Sequence, residues 1–267
     1  GLPKTNFGAL FVTYEDTAKL PYPAVCLPDR MVLHANWYRS LQKQKIDWTT
    51  LPMTALFTVL MRRASISRCH LAKRILEQYD PSSIIISLGI NPGKDAQEYS
   101  DIISPHQYPL VVDKAEVPWP EDNIHLHDSF YRSPLNVVVE SSHETDHNVW
   151  RGIFITEKTY KALSWYQFPI WYAVPGLVQK VREQGFDVFD DIIDHGYDNE
   201  FNPWVRMVAV VEQLKKIVDK DCNLLRKEHW ERLESNAKIV QQIHTNGLEK
   251  HKIKTNRFLD EIQQLHK

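Results

Sequence analysis

Residues 56–89 read LFTVLMRRASISRCHLAKRILEQYDPSSIIISLG, a segment that changes from a strand pattern to a helix pattern and back. The short apolar run at 56–61 is typical of a buried strand, and apolar residues then recur at helical spacing over 69–79. A second apolar run at 84–88 ends at Gly89. Strand, turn, helix and strand in this order predict a βαβ unit with parallel strands.

The same alternation returns after residue 134. Apolar runs again predict strands, and a helical stretch begins after Thr156, whose hydroxyl is suited to cap the helix start. The predicted elements are strands at 135–139, 153–155, 169–172 and 186–189 and helices at 157–165 and 177–184. This pattern indicates a second parallel α/β arrangement.

The flanking segments set the predicted domain limits. Strand patterns occur at 8–13 and 24–33, and the polar segment 91–133 lacks periodicity, as a linker does. From Trp204 onward the pattern is helical, with a predicted apolar face of Val205, Val208, Val211 and Leu214. We expect an N-terminal half with its linker at 1–133, a second half at 134–204 and long C-terminal helices at 205–267.

The composition is that of an ordinary globular chain of 267 residues. Lys and Arg number 32 against 34 acidic residues, so the net charge of −2 provides no overall positive field for nucleic acid or an anionic membrane. No apolar run approaches the roughly 18 residues of a membrane span. Cys26, Cys69 and Cys222 lack the spacing of a disulfide framework or a zinc site. We expect a soluble, cytoplasmic protein whose anion sites are local.

The strongest local signal for chemistry is Thr156-Glu157-Lys158 at a strand-to-helix junction, with Glu140 ending the preceding strand. In parallel sheets, the carboxyl ends of strands and the helix starts that follow them bind anions. Lys158 adds a positive charge, and a carboxylate of Glu157 or Glu140 can accept hydrogen bonds from sugar hydroxyls. The same three residues also suit plain helix capping, so both interpretations stay open.

A longer segment, LNVVVESSHETDHNVWRGIFITEKTYKALSWYQFPIWYAVPG at 135–176, resembles the donor-binding region of the α-1,3-fucosyltransferase family. It is also similar to phage-encoded relatives that carry an I-T-E-K-T segment. In that family an apolar strand ends in F-E-N-S, and Y-V-T-E-K, a helix and a P-I-x-x-G strand follow. The matching positions are Glu140, Ser141, Thr156, Glu157, Lys158, Ala162, Pro169 and Ile170.

A second match, FTVLMRRASISRCHLAKRIL at 57–76, places Arg68 where the family has an arginine at a helix start. The resemblance implies that Arg68 and Lys158 neutralise the pyrophosphate of a nucleotide-sugar donor and that Glu157 contacts its nucleotide or sugar. Arg62 and Arg63, in the same loop, are candidates for the same phosphate site. The family's fold implies a GT-B-like α/β protein, with two Rossmann-like halves facing a cleft.

The sequence departs from the family at several positions. Ser141 stands in place of the family's Asn, the aromatic residue before T-E-K is displaced to Phe154, and the glycine after P-I is replaced by the stretch 173–176. Fucose and guanine specificity are therefore not carried over.

Taken together, the resemblance implies a glycosyltransferase that uses a nucleotide sugar as co-substrate, without a further cofactor or a metal. Glu15, Asp16 and Asp29 follow apolar strands and are candidates for the general base. The acceptor is a glycan or small-molecule hydroxyl, or alternatively a hydroxymethylated pyrimidine in phage DNA. A non-catalytic interaction protein with a GT-B-like half is the rival hypothesis.

Two further patterns are weaker candidates for metal sites. His125, His127, His143 and His147 lie in a polar region without cysteine partners, and we interpret them as surface residues. Asp219-Lys220-Asp221 has the D-x-D form but lies in a charged helical stretch, so we interpret it as surface as well.

Overall fold

The computed structural model describes residues 11–13, 24–26, 53–89, 96–110, 130, 132–141, 153, 155–243 and 245–246. The first elements in chain order are β1 (Phe11–Thr13), β2 (Ala24–Cys26), β3 (Phe57–Met61), α1 (Ile66–Leu76), β4 (Ile85–Leu88) and α2 (Ala96–Ile103). They are followed by β5 (Leu135–Val139), α3 (Glu157–Ser164), β6 (Phe168–Tyr172), α4 (Leu177–Glu183), α5 (Pro203–Val218) and α6 (Cys222–Glu228). A last helix, α7, covers 230–243. None of the helices in these ranges is long and apolar enough to cross a membrane.

The centre of the fold is a four-stranded parallel sheet with the order β4-β3-β5-β6. All residues of β4, β5 and β6 are buried, as expected for a parallel sheet that is covered on both faces. Its apolar runs therefore form one core, in which the largest fully buried side chains include Phe57, Leu71, Phe168 and Trp171. The predicted α/β class is confirmed.

The strand order places a crevice between β3 and β5. From β3 the chain builds outward to β4 on one side, and it returns on the other side of β3 to form β5 and then β6. In open α/β sheets, the carboxyl ends of the two strands at which the direction reverses form a ligand crevice. The loop that leads to α1 and the residues that follow β5 both lie at this edge.

The predicted domain boundary between residues 133 and 134 stays a prediction, but the strands on its two sides, β3 and β5, belong to the same sheet. Phe57 pairs with Leu135 and Thr58 with Asn136, so β3 and β5 are hydrogen-bonded neighbours in one sheet. The long crossover between β4 and β5 has a linker-like composition, and its described part includes helix α2. Outside this sheet, β1 and β2 form a separate parallel pair, so they are not a hairpin. The GT-B arrangement of two facing halves stays a prediction.

Several predicted elements have different limits in the structure. Helix α1 spans 66–76, whereas the sequence predicts 69–79, because the hydroxyl of Ser65 caps it earlier. Neither 153 nor 155 belongs to a strand, and 186–189 has no regular secondary structure, with Phe189 at a φ of 63°. A left-handed residue cannot continue a regular strand.

The predicted apolar face of α5 is only partly correct. Val211 and Leu214 are buried, but Val205 and Val208 are 51% and 37% exposed. A spacing of three residues is shorter than a helical turn of 3.6, so the stripe rotates about half a turn between Val205 and Leu214. Asn202 caps the start of the helix, since its side chain accepts hydrogen bonds from the backbone N–H groups of Trp204 and Val205.

An acidic turn ties the C-terminal helix α7 to the sheet domain. Arg232 donates hydrogen bonds to Asp187 at 2.5 Å and to Asp191 at 2.7 Å, and Arg182 of α4 donates to Asp190 at 2.8 Å. Hydrogen bonds from Arg232 and Arg182 lower the pKa values of Asp191 and Asp190, respectively. We call these five residues the acidic clasp. The acidic clasp thus has a structural role in this fold.

Candidate functional site

The first wall of the crevice is the loop between β3 and α1. Arg62 and Arg63 are exposed there, and Ser65 Oγ accepts a hydrogen bond from the backbone N–H of Arg68 at 3.3 Å. The loop approaches Gly89 so closely that a Cβ atom at that position would lie 2.1 Å from the carbonyl oxygen of Arg62. Only glycine allows this approach, and the loop position therefore depends on Gly89.

Arg68 connects the two strands of the crevice. Its Nη1 donates to the carbonyl oxygen of Arg63 at 2.7 Å, and its Nη2 donates to the carbonyl oxygen of Glu140 at 3.1 Å. The first contact is within its own loop, and the second reaches the residue that follows β5. The segments 57–76 and 135–176 thus meet at this guanidinium.

Glu140 is fully buried and holds the start of α3. Its carboxylate accepts hydrogen bonds from the Thr156 backbone N–H at 3.1 Å, the Thr156 hydroxyl at 2.5 Å and the Thr159 hydroxyl at 2.6 Å. The backbone N–H of Ser141 donates to it at 3.3 Å. With no exposed surface, the carboxylate is placed to support the site, whereas the sequence suggested direct contact with a sugar.

Lys158 lies at the mouth of the same crevice. Its ammonium donates hydrogen bonds to Ser141 Oγ at 3.2 Å, Thr156 Oγ1 at 3.2 Å and Glu157 Oε1 at 3.3 Å. The Lys158 and Glu157 side chains retain 26% and 19% exposure, so solvent and a ligand can reach the pair. The Glu157 carboxylate holds the Lys158 ammonium. A bound phosphate would compete with this carboxylate for the ammonium.

These positions bring two cations to the same end of β5. Arg68 and Lys158 contact consecutive residues at the end of β5, through the Glu140 carbonyl and the Ser141 hydroxyl. The N-termini of α1 and α3 lie at the same edge of the sheet and add the positive ends of two helix dipoles. Two cations in the first turns of neighbouring helices, together with the helix starts, have the chemistry that binds a diphosphate.

Sequence reasoning missed two residues of this site. Thr159 is fully buried and Trp171 is almost fully buried. The Trp171 indole N–H donates a hydrogen bond to Thr159 Oγ1 at 3.1 Å. The signal for Thr159 was present, because it follows Thr156 by three residues on the helix and therefore points back toward the helix start. The signal for Trp171 was absent, since a tryptophan in an apolar strand predicts only core packing.

An apolar rim, made of the exposed side chains of Ile66, Phe201 and Trp204, borders the crevice on the side of α1 and α5. The ring of Trp204 lies edge-on to His70 of α1, with 5.0 Å between the centroids. Trp204 is 47% exposed and Phe201 is 73% exposed, and Ile66 at the start of α1 is 44% exposed. The Tyr172 hydroxyl, at the end of β6, donates to the Pro203 carbonyl at 3.3 Å, which places the start of α5 at the carboxyl edge of the sheet.

Several predicted site residues lie outside the described ranges. These are the general-base candidates Glu15, Asp16 and Asp29, the aromatic residue Phe154, and the histidines at 125, 127, 143 and 147. Within the described ranges, no group of His, Cys, Asp or Glu is arranged to hold a metal ion.

The D-x-D pattern has a local structural explanation. Asp221 Oδ1 accepts a hydrogen bond from the backbone N–H of Leu224 at 3.1 Å, which is the contact of a residue that caps α6. Asp219 is the C-terminal cap residue of α5. Both residues are exposed, as the sequence predicted.

Comparison with known proteins adds no relative, since no family model, curated protein or solved structure matches this chain.

Proposed function

We propose that the protein is a nucleotide-sugar-dependent glycosyltransferase and that the crevice between β3 and β5 binds the donor diphosphate. The observation that carries the proposal is the pairing of Arg68 and Lys158 with consecutive residues at the end of β5. A guanidinium fork suits phosphate oxygens, and a lysine adds a second, more mobile charge. The family resemblance at both segments supports the same assignment.

The chemistry of such a site is leaving-group stabilisation. When the bond between the sugar and the diphosphate breaks, negative charge develops on the β-phosphate. Arg68, Lys158 and the helix starts are placed where they can stabilise that charge. Ser141 and Glu157 hold the Lys158 ammonium in position before the donor arrives.

The acceptor approaches across the apolar rim in this proposal. Phe201 and Trp204 provide exposed aromatic faces that can stack on a sugar ring or on a base. Arg62 and Arg63, exposed in the loop after β3, favour an acceptor that carries phosphate. A glycan and a hydroxymethylated pyrimidine in DNA therefore both remain proposals for the acceptor, with Glu15, Asp16 or Asp29 as its general base.

A non-catalytic role is the second candidate, and one observation favours it. Trp204, Val205 and Val208 form an exposed apolar face on the first turns of α5, and the exposed Phe201 lies just before this helix. Exposed apolar patches of this kind frequently mark protein-binding surfaces. In this case the crevice would bind no donor, or would bind it without turnover.

The deciding experiment is a thermal-shift panel of UDP-, GDP-, CMP- and dTDP-linked sugars, followed by an assay for release of the nucleotide. A ligand at a hundred times its Kd stabilises the native state by about 2.7 kcal/mol, which a melting curve resolves easily. Binding of at least one donor with acceptor-dependent release of its nucleotide supports the glycosyltransferase. Binding without release supports the non-catalytic candidate, and no shift by any donor contradicts donor binding.

A further inference from the structure

A buried hydroxyl links the core of the sheet to the anion site. Thr159 has no exposed surface, and its hydroxyl lies between the Trp171 indole and the Glu140 carboxylate. The distances are 3.1 Å from the indole nitrogen to Thr159 Oγ1 and 2.6 Å from Thr159 Oγ1 to Glu140 Oε1. Trp171 belongs to β6, and Glu140 follows β5, so the hydroxyl joins two neighbouring strands through helix α3.

The direction of each hydrogen bond in this chain is fixed by the chemistry of its groups. An indole N–H only donates, so Thr159 Oγ1 accepts from Trp171 and directs its own proton to Glu140. The Thr156 hydroxyl behaves in the same way, because it accepts from the Lys158 ammonium and donates to Glu140 Oε2. One buried carboxylate thus orients both threonines, and Thr156 in turn contacts the cation.

We infer that Thr159 and Trp171 are positioning residues for the anion site, acting on Lys158 through Glu140 and Thr156. Without the Thr159 hydroxyl, Glu140 Oε1 loses a short hydrogen bond in a buried place, where an under-satisfied carboxylate is costly. A cation that can compensate is the Lys158 ammonium, which is one hydroxyl away. Lys158 would then turn toward Glu140 and away from a ligand. The inference rests on the proposed diphosphate site.

The test is calorimetric titration of inorganic pyrophosphate into the full chain and four variants. Thr159→Val removes the hydroxyl, and Thr159→Ser keeps it. Trp171→Phe removes only the indole donor and serves as an independent probe if Thr159→Val does not fold. The matched control is Ser164→Ala, because Ser164 is a buried hydroxyl on the same helix that donates to the Lys161 carbonyl, at the end far from the crevice. Each variant's melting temperature is measured alongside.

The expected result is a loss of about tenfold in pyrophosphate affinity for Thr159→Val and a loss of a few fold for Trp171→Phe. Thr159→Ser and Ser164→Ala should bind within about twofold of the wild type. Wild-type affinity in both Thr159→Val and Trp171→Phe would overturn the inference, as would a loss in Ser164→Ala that matches Thr159→Val at an equal drop in melting temperature. Failure of the wild type to bind pyrophosphate would overturn the proposed diphosphate site itself, and with it the inference.

Discussion

Replacing Lys158 with alanine is expected to remove most transfer activity and to leave the stability of the fold nearly unchanged. The side chain is 26% exposed, and it forms an ion pair with the neighbouring Glu157 at 3.3 Å. Partly exposed pairs of this kind contribute about 0.2 to 1 kcal/mol to stability. The helix cap does not depend on the ammonium, because the Thr156 hydroxyl accepts from the Lys158 backbone N–H.

The effect on catalysis should be much larger. Loss of one charge-assisted contact to a developing phosphate charge costs about 2 to 4 kcal/mol in the transition state, or roughly thirtyfold to nearly a thousandfold in rate. The assay is kcat/KM for sugar transfer, measured with a melting curve for the same preparation. Lys158→Arg should retain part of the activity, since it keeps the charge in a different geometry.

The matched control is Lys180→Ala, which removes a lysine from α4 that also pairs with a nearby glutamate, Glu183, at 3.2 Å. This variant should keep the wild-type rate. A wild-type rate in Lys158→Ala would refute the assignment of Lys158 to the donor site. So would an equal loss of rate in both variants.

Three other outcomes are expected. Transfer should persist in excess EDTA, because two side-chain cations meet the phosphate charge; complete loss that a divalent metal restores would argue for a metal-bound donor. If the acceptor is duplex DNA, replacing both Arg62 and Arg63 with alanine should flatten the slope of log affinity against log salt by roughly two units, while a neutral glycan shows no such slope. Because Arg232 lowers the pKa of Asp191, the acidic clasp contributes stability above the unfolded-state pKa of about 3.9 and loses it as pH falls through the lower folded-state value. Arg232→Ala should therefore flatten the acid limb of a plot of unfolding free energy against pH, and an unchanged limb would show that the clasp adds no stability.

Local elements of this fold could be predicted from the sequence because short-range signals specify them. The apolar run at 135–139 forms β5 over that range, and Thr156 caps α3 through its side chain as expected. The long-range pairing was not predictable in the same way. The contact between Phe57 and Leu135 joins residues that a polar crossover separates, and nothing in the composition of that crossover tells whether it divides two sheets or returns to one.

The candidate site shows the same limit. The sequence and the resemblance predict Arg68, Lys158 and Glu140 as site residues, but the role that each can have depends on burial. Glu140 has no exposed surface, because the hydroxyls of Thr156 and Thr159 surround its carboxylate. Spacing alone cannot distinguish a carboxylate that contacts a ligand from one that holds a helix start.

The central claim is that Arg68 and Lys158 bind one diphosphate at the carboxyl edge of the sheet. The direct measurement is the ratio of the Kd value of a nucleoside to that of its diphosphate, with uridine and guanosine as the two nucleosides. It is made on the wild type and on the double variant Arg68→Gln/Lys158→Met. For at least one base, the wild type should bind the diphosphate about a hundredfold more tightly than the nucleoside, and the double variant should lose most of that preference. Equal affinities in the wild type, or an unchanged preference in the double variant, would contradict the claim.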